Sequence, residues 1–282
     1  MIALKNSTLS RKVNSYALLL IMTVIAAGML IPFLLVIINA FKTPAEYAAA
    51  GPLSLPKSLY LGGIIEFWKR VSFEKSLLNS FVISFSVSVI ALILSCLNAF
   101  VLGIGKIKGR AVLLVLFIIA NTLPQEALAY PLYYMAKLFK IYDTQLVVIL
   151  IFSVIQSAFG TYLLSSVYSR FPVEIIEAAR VDGCSKFEML IYIILPNSKA
   201  SLSVLFTFFF IWTWNEFFLP LIMLVSKAKQ TVPIAVSITQ GQHNMDVTMA
   251  SASAMLGIIP CIIFFVIFQR TLTRGVTAGS VK

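Results

Sequence analysis

The sequence predicts an all-α integral membrane protein with six membrane-spanning helices, and three observations carry that prediction. The 282 residues are 60% hydrophobic and only 12% charged, with mean hydropathy +0.96, whereas a soluble domain usually carries about a quarter charged residues. Apolar runs long enough to cross a bilayer alternate with short polar stretches. The net charge of +11, from 22 basic and 11 acidic residues, gathers in small clusters beside those runs. A positive-inside bias explains such clusters better than a nucleic-acid-binding face.

The first run, about 16–38, follows Lys5, Arg11 and Lys12 and is long enough to span at about 1.5 Å per residue. A cleavable signal peptide also opens with positive charge, but its apolar region is typically about 7–15 residues. Thr43, Pro44 and Glu46 then have capping-box spacing, and Gly51-Pro52 is a stop, so 41–76 should hold a short surface helix and a loop. The second span runs from about 77 to 102, and Lys106, Lys108 and Arg110 follow it at once. A third span starts near Ala111 and is interrupted by Asn121, Pro124, Gln125 and Glu126. Proline in a membrane helix frees carbonyls that need partners, so this end should face protein or a cavity rather than lipid. Asp143 or Thr144 can cap a fourth span ending near Leu164. The fifth, about 202–225, contains Trp212, Trp214, Asn215, Glu216 and Pro220. The sixth, about 249–268, opens with small residues at 250–254, which permit close helix packing.

Between the fourth and fifth spans lies a polar island, Glu177 to Pro196. Pro172 suits the start of a helix, Glu174 and Glu177 place negative charge near its positive end, and Gly183 supplies a left-handed stop. Ser185 and Glu188 have capping-box spacing, so a second short helix should run from about Lys186 to Leu195, where Pro196 discourages continuation. Ala178 and Ala179 would let another surface approach closely. Spacing alone fits an ordinary helical hairpin equally well.

Six spans place both termini on one side. That side, with the island, carries 13 basic residues, and the opposite loops carry 9, five of them in a loop long enough to weaken the rule. The expected organisation is therefore a cytoplasmic segment 1–15, a transmembrane domain 16–268 with a cytoplasmic loop 165–201, and a cytoplasmic tail 269–282.

Catalytic motifs are absent. No Walker A sequence occurs, and the stretch Gly103, Gly105, Lys106 has the wrong spacing for one. There is no nucleophile elbow, zinc-protease motif or paired-cysteine motif. Cys96, Cys184 and Cys261 are scattered, and His243 reads as a loop histidine without a metal-ligand partner. Glu216 is the ionisable residue set deepest in an apolar run, so it should face the bundle interior, a partner or water. At helical spacing Trp212, Asn215, Glu216 and Leu219 would share a face, joining an aromatic ring to hydrogen-bonding groups as a sugar requires. A structural hydrogen bond or an ion pair with another subunit fits the same residues, and is the favoured reading of the two.

The island resembles a known pattern. Glu177, Ala178, Ala179, Gly183, Ile193, Leu195 and Pro196 match the EAA loop of ABC importer permeases: E-A-A, three residues, G, nine residues, I-x-L-P. NAFKTPAEY, LPQEALAYPLYYMAKLFKIYDT, WNEFFLPL and RGVTAGSVK look like the maltose-type carbohydrate branch of that family. The resemblance implies a type I importer permease in a bacterial cell membrane. Its implied partners are a second, similar permease, two cytoplasmic ATP-binding subunits and an extracytoplasmic solute-binding protein, with a carbohydrate as the transported substrate. The chain would hold no cofactor of its own, since ATP and magnesium would bind the ATPase subunits. Glu177, Ala178, Ala179, Asp182, Gly183, Leu195 and Pro196 would form the ATPase-coupling element, and Trp212, Asn215 and Glu216 are candidates for the substrate path. Glu216 stands where the family commonly has Asp. An ion-coupled secondary transporter or channel in which Glu216 titrates is the alternative, and a membrane-bound enzyme is a more distant one.

Overall fold

The computed structural model describes residues 2–105, 107–239 and 246–278, with side chains over 15–105, 107–239 and 246–269. Lys106, His243 and the side chains of RGVTAGSVK lie outside the described residues. The described elements are helical: α1 (Ile2–Ala40), α2 (Pro44–Ala50), α3 (Gly62–Val71), α4 (Phe73–Gly103), α5 (Arg110–Thr122), α6 (Gln125–Leu138) and α7 (Gln145–Tyr168) come first. The island follows as α8 (Val173–Val181), α9 (Lys186–Glu188), a π-helical segment Met189–Ile194, and α10 (Leu195–Asn197). The chain continues through α11 (Lys199–Asn215), α12 (Phe218–Met223), a 3₁₀ turn Lys227–Lys229, α13 (Val232–Ser237) and α14 (Val247–Ala278). Four helices are long and apolar enough to cross a membrane alone, within α1, α4, α7 and α14. Two bent pairs, α5 with α6 and the island helices with α11, bring the count up to six.

By contacts the chain divides into two compact units, one made of the chain up to Phe67 with Thr239–Leu256, the other of Trp68–Ile238 with the chain from Gly257. In the first, the Lys42 ammonium is fully buried and bonds Asn39 Oδ1 at 2.9 Å and the Gly51 carbonyl at 3.0 Å. Such neutral oxygens are what a buried cation needs when no carboxylate is near. Thr43 caps α2 by accepting the Glu46 N–H at 3.1 Å. The reciprocal half of the expected box is not made, because the Glu46 carboxylate accepts the Lys57 N–H at 2.6 Å instead. Gly51 (φ +77°) ends α2 as expected.

The second unit is built on the pair α4 and α7. Ser76, Ser80, Ser84, Ser88 and Ser95 are buried on α4, and Ser153, Ser157, Thr161 and Ser165 are buried on α7. Small side chains let the helix backbones come close, since lipid offers no hydrophobic drive between two helices. Gly160 marks the tightest point, where an added Cβ would stand 2.2 Å from Ser95 Oγ. Two of the α4 hydroxyls bond within their own helix. Ser88 and Ser95 donate to the carbonyls of Ser84 and Ala91, both at 2.6 Å, and Asn98 reaches Thr161 Oγ1 at 3.3 Å.

Two expectations about α7 and the fifth span are corrected. Thr144 takes the N-cap position of α7 with extended backbone, but neither it nor Asp143 makes a side-chain cap bond: the Thr144 hydroxyl donates to the Ile141 carbonyl at 2.6 Å, and Asp143 sits at φ +57° with its carboxylate drawn to Ser226 and Lys229. Those bonds, with Tyr142 Oη donating to the Ile222 carbonyl at 3.2 Å, clip the α6–α7 turn to the chain around α12. The Ser226 hydroxyl and N–H, together with the Lys229 ammonium, lower the Asp143 carboxyl to a pKa of about 2. The fifth span is not one helix from 202 to 225. α11 ends at Asn215, Glu216 is extended (ψ 130°), and α12 starts at Phe218. Pro220 lacks the N–H a continuous helix would use, which favours a restart in this segment.

Candidate functional sites: the island and a polar cavity

The island folds as its punctuation demands. Asp182 closes α8, and Gly183 at φ +80° makes a Schellman turn in which the Gly183 N–H bonds the Arg180 carbonyl (3.1 Å) and the Cys184 N–H bonds the Ala179 carbonyl (3.0 Å). The Ser185–Glu188 capping box is complete, at 3.3 and 2.8 Å. Accepting the Ser185 hydroxyl and N–H holds the Glu188 carboxyl below its ordinary range. The second helix differs from expectation. It passes through a π turn, in which the Leu195 N–H reaches back five residues to the Leu190 carbonyl, and continues over Pro196 to Asn197. The wider turn leaves carbonyls free near the proline, and side chains take two of them: Asn197 Nδ2 bonds Ile193 O at 2.6 Å and Ser198 Oγ bonds Ile194 O at 2.7 Å. The chain then bends by 83° into α11.

One face of the island belongs to the membrane core. Ile176, Ala179, Met189, Leu190 and Ile194 are buried in one cluster with Ala91 and Ala99 of α4, Leu164 and Tyr168 of α7, and Leu205 and Phe209 of α11. The two alanines are therefore split: Ala179 lets the island's own scaffold come close, while Ala178 and Glu177 face outward. Asp182, Gly183 and Pro196 are exposed, and Leu195 is half-buried. Beside them the apolar side chains of Val181, Phe187 and Tyr192 are 87%, 65% and 75% exposed. Glu177 and Arg180 also border a cavity of about 90 Å³ shared with Gly103, Tyr168 and Ser169.

A second site lies where two helix breaks meet. The 92° bend between α5 and α6, the middle of α7 and the end of α11 border an open cavity of about 380 Å³. Asn121, Gln125, Gln156, Trp212, Asn215 and Glu216 give it a polar and aromatic wall, with Phe152, Ile155 and Ile211 between them. Asn121 and Gln125 thus face a cavity, as the interruption of the third span predicted. Trp212, Asn215 and Glu216 do meet there, but not on one helical face, because Glu216 has left the helix and Leu219 is buried elsewhere, among Ile83, Val87 and Val148. Trp212 is held edge-on to Phe159 (centroids 5.1 Å apart) and stacked on Phe208 (5.6 Å). Asn215 Nδ2 donates to the Ile211 carbonyl at 2.8 Å, and the Glu216 carboxylate accepts the Phe218 N–H at 3.2 Å. Gln156 was not singled out from the sequence, although an amide halfway along an apolar span is the signal that would have found it. Its Nε2 donates to Thr213 Oγ1 at 2.8 Å, and its Oε1 is buried without a partner. Among the described residues no group of His, Cys, Asp and Glu could hold a metal ion.

The model of the family described as "Binding-protein-dependent transport system inner membrane component" matches residues 58–278. The chain is 28% identical over 272 residues to the probable starch degradation products transport system permease protein AmyC of Thermoanaerobacterium thermosulfurigenes, covering 96% of this chain and 98% of that one. It is 30% identical over 224 residues to the arabinooligosaccharides transport system permease protein AraQ of Bacillus subtilis, covering 79% and 76%. Among solved structures, a chain of a bacterial ABC transporter involved in the import of the acidic polysaccharide alginate superposes with TM-score 0.71 at 18% identity, over 93% of this chain and 97% of that one. This last likeness concerns the fold.

Proposed function

The chain belongs to the binding-protein-dependent transport system inner membrane component family, and from that membership we propose that it moves a sugar or oligosaccharide into the cytoplasm, driven by ATP hydrolysis on partner subunits. The names of AmyC, for starch degradation products, and AraQ, for arabinooligosaccharides, support the choice of cargo. In this reading the termini and the loop 165–201 face the cytoplasm, with 1–15 and 269–282 as cytoplasmic ends. The partners are a second similar permease, two ATPase subunits that bind ATP and magnesium, and an extracytoplasmic sugar-binding protein.

One observation carries the proposal: the island has an inner face packed into the core of α4, α7 and α11 and an outer face that leaves Val181, Phe187 and Tyr192 open. Large apolar side chains exposed together mark an interaction surface. A protein seated on that outer face would push through Ile176, Leu190 and Ile194 onto the membrane helices. Glu177, Ala178, Asp182 and Gly183 form the docking turn, and Leu195 and Pro196 form the link to α11. Closure of the ATPase pair around ATP would carry the helices outward-facing, and hydrolysis would return them. The cycle requires that each ligand bind the two states with different affinity. Trp212, Asn215 and Glu216 lie on the substrate path.

The test is assembly and coupling in the purified complex. Gly183→Val, which forces a β-branched residue to φ +80°, and Glu177→Lys should each reduce co-purification of the ATPase or uncouple its activity from transport. Unaltered assembly and transport in both variants would sink the coupling assignment. Solute transport by the permease without any ATPase would favour the ion-coupled reading.

A further inference from the structure

Resting on that reading, we infer that the cavity between α5, α6, α7 and α11 discriminates by charge, accepting an uncharged polyhydroxylated sugar and rejecting its acidic counterpart. The wall supplies what a neutral sugar needs. Trp212 offers an aromatic surface for C–H groups, while Asn121, Gln125 and Asn215 carry amides able to donate and accept. Gln156 is 6% exposed, midway along α7, and its Oε1 has no protein partner. A buried acceptor left open is costly, so a solute hydroxyl that reached it on a small turn of the amide would gain a full hydrogen bond.

The same wall carries no lysine or arginine among its described residues, and it does carry Glu216. The Glu216 carboxylate thus puts an acidic group, with no basic one to offset it, at the cavity wall. A uronate or sulfonate entering it would lose its water and meet a like charge at the effective dielectric of a protein interior, which disfavours it by about tenfold or more.

The experiment is equilibrium binding of radiolabelled cellobiose and of the uronic-acid disaccharide of the same size, at neutral pH. The sample is the purified complex with its second permease and ATPase subunits but without binding protein. The unaltered complex should bind the neutral sugar about tenfold more tightly. Glu216→Gln should shrink that ratio about tenfold, acting chiefly on the acidic sugar, and Glu216→Asp should retain it. Gln156→Leu should weaken neutral-sugar binding about tenfold, the loss expected when a built hydrogen bond is removed. Equal binding of both sugars, binding of neither, or a ratio unmoved by Glu216→Gln would overturn the inference. Retained ATPase co-purification in these variants shows that they are folded and leaves the coupling proposal intact. Lost co-purification in the unaltered complex would count against the coupling proposal instead.

Discussion

The break after Pro196 and the break at Pro124 bend their spans by 83° and 92°, yet they treat the exposed backbone and polar groups in opposite ways. At Pro196 the chain satisfies itself: Asn197 and Ser198 take up the carbonyls of Ile193 and Ile194, and the buried Ile194 beneath them packs into the core of α4, α7 and α11. At Pro124 the flanking Asn121 and Gln125 turn toward a cavity, where they join Gln156, Asn215 and Glu216. A sealed break is stiff in the sense a lever requires, since moving it costs packing. An open break keeps hydrogen-bonding capacity for something that arrives later. The difference teaches that the groups a proline kink frees can find their partners in two ways, within the chain as at Pro196 or toward a cavity as at Pro124.

Breaking the sealed side should have the largest effect. Ile194→Ala empties a fully buried position in the cluster that joins island to spans and should destabilise the purified protein by about 2–5 kcal/mol, read as a lowered thermal midpoint. Next comes the scaffold that both breaks share. Gly160→Val would force a Cβ against Ser95 and should cost about 1–3 kcal/mol by overpacking, with partial recovery when Ser95→Gly is added. If the double variant is no better than the single, the close approach of α4 and α7 at this point is wrong. The direct contrast is smaller. Ser198→Ala removes one buried hydrogen bond and should cost about 1 kcal/mol, whereas Gln125→Ala at the open break should leave the thermal midpoint unchanged while weakening sugar binding. Equal midpoint shifts in the two would erase the distinction.

The smallest effect concerns pH at the clip joining Asp143 to Ser226 and Lys229. The Asp143 carboxyl titrates near 2 in the folded protein rather than at its ordinary 3.8. Its contribution is therefore fully present above pH 3.8 and is lost as pH falls toward about 2. Protection of the Ser226 amide from hydrogen exchange, relative to its intrinsic rate at each pH, should fall through that window in the unaltered protein, and Asp143→Asn should flatten the dependence.

Much of this architecture was legible because it rests on local chemistry. Apolar length and hydropathy mark the spans, Gly183 and the Ser185–Glu188 pair mark the island's turns, and Pro124 marks a break, each acting within a few residues of itself. The misplaced features depended on distant partners. Asp143 and Thr144 had every local qualification for a cap, but Ser226 and Lys229 outbid the helix for the Asp143 carboxylate, and no spacing rule links residues so far apart. Glu216 and Trp212 were assigned to one helical face because the apolar run continues to Val225, while α11 in fact stops at Asn215. Gln156 passed unnoticed because a lone amide means little until Thr213 and the cavity stand beside it.

By itself, then, the sequence determined a polytopic helical membrane protein, the punctuation of its island and the family pattern at seven positions, since these follow from hydrophobicity and backbone preference over short stretches. Only the tertiary structure decided which island face is buried, that Ala179 looks inward while Ala178 looks out, and that two breaks from separate spans converge with Gln156 on one cavity. Burial and hydrogen-bond partnership are properties of groups brought together from far along the chain. Local periodicity constrains them without choosing among the arrangements that would satisfy it.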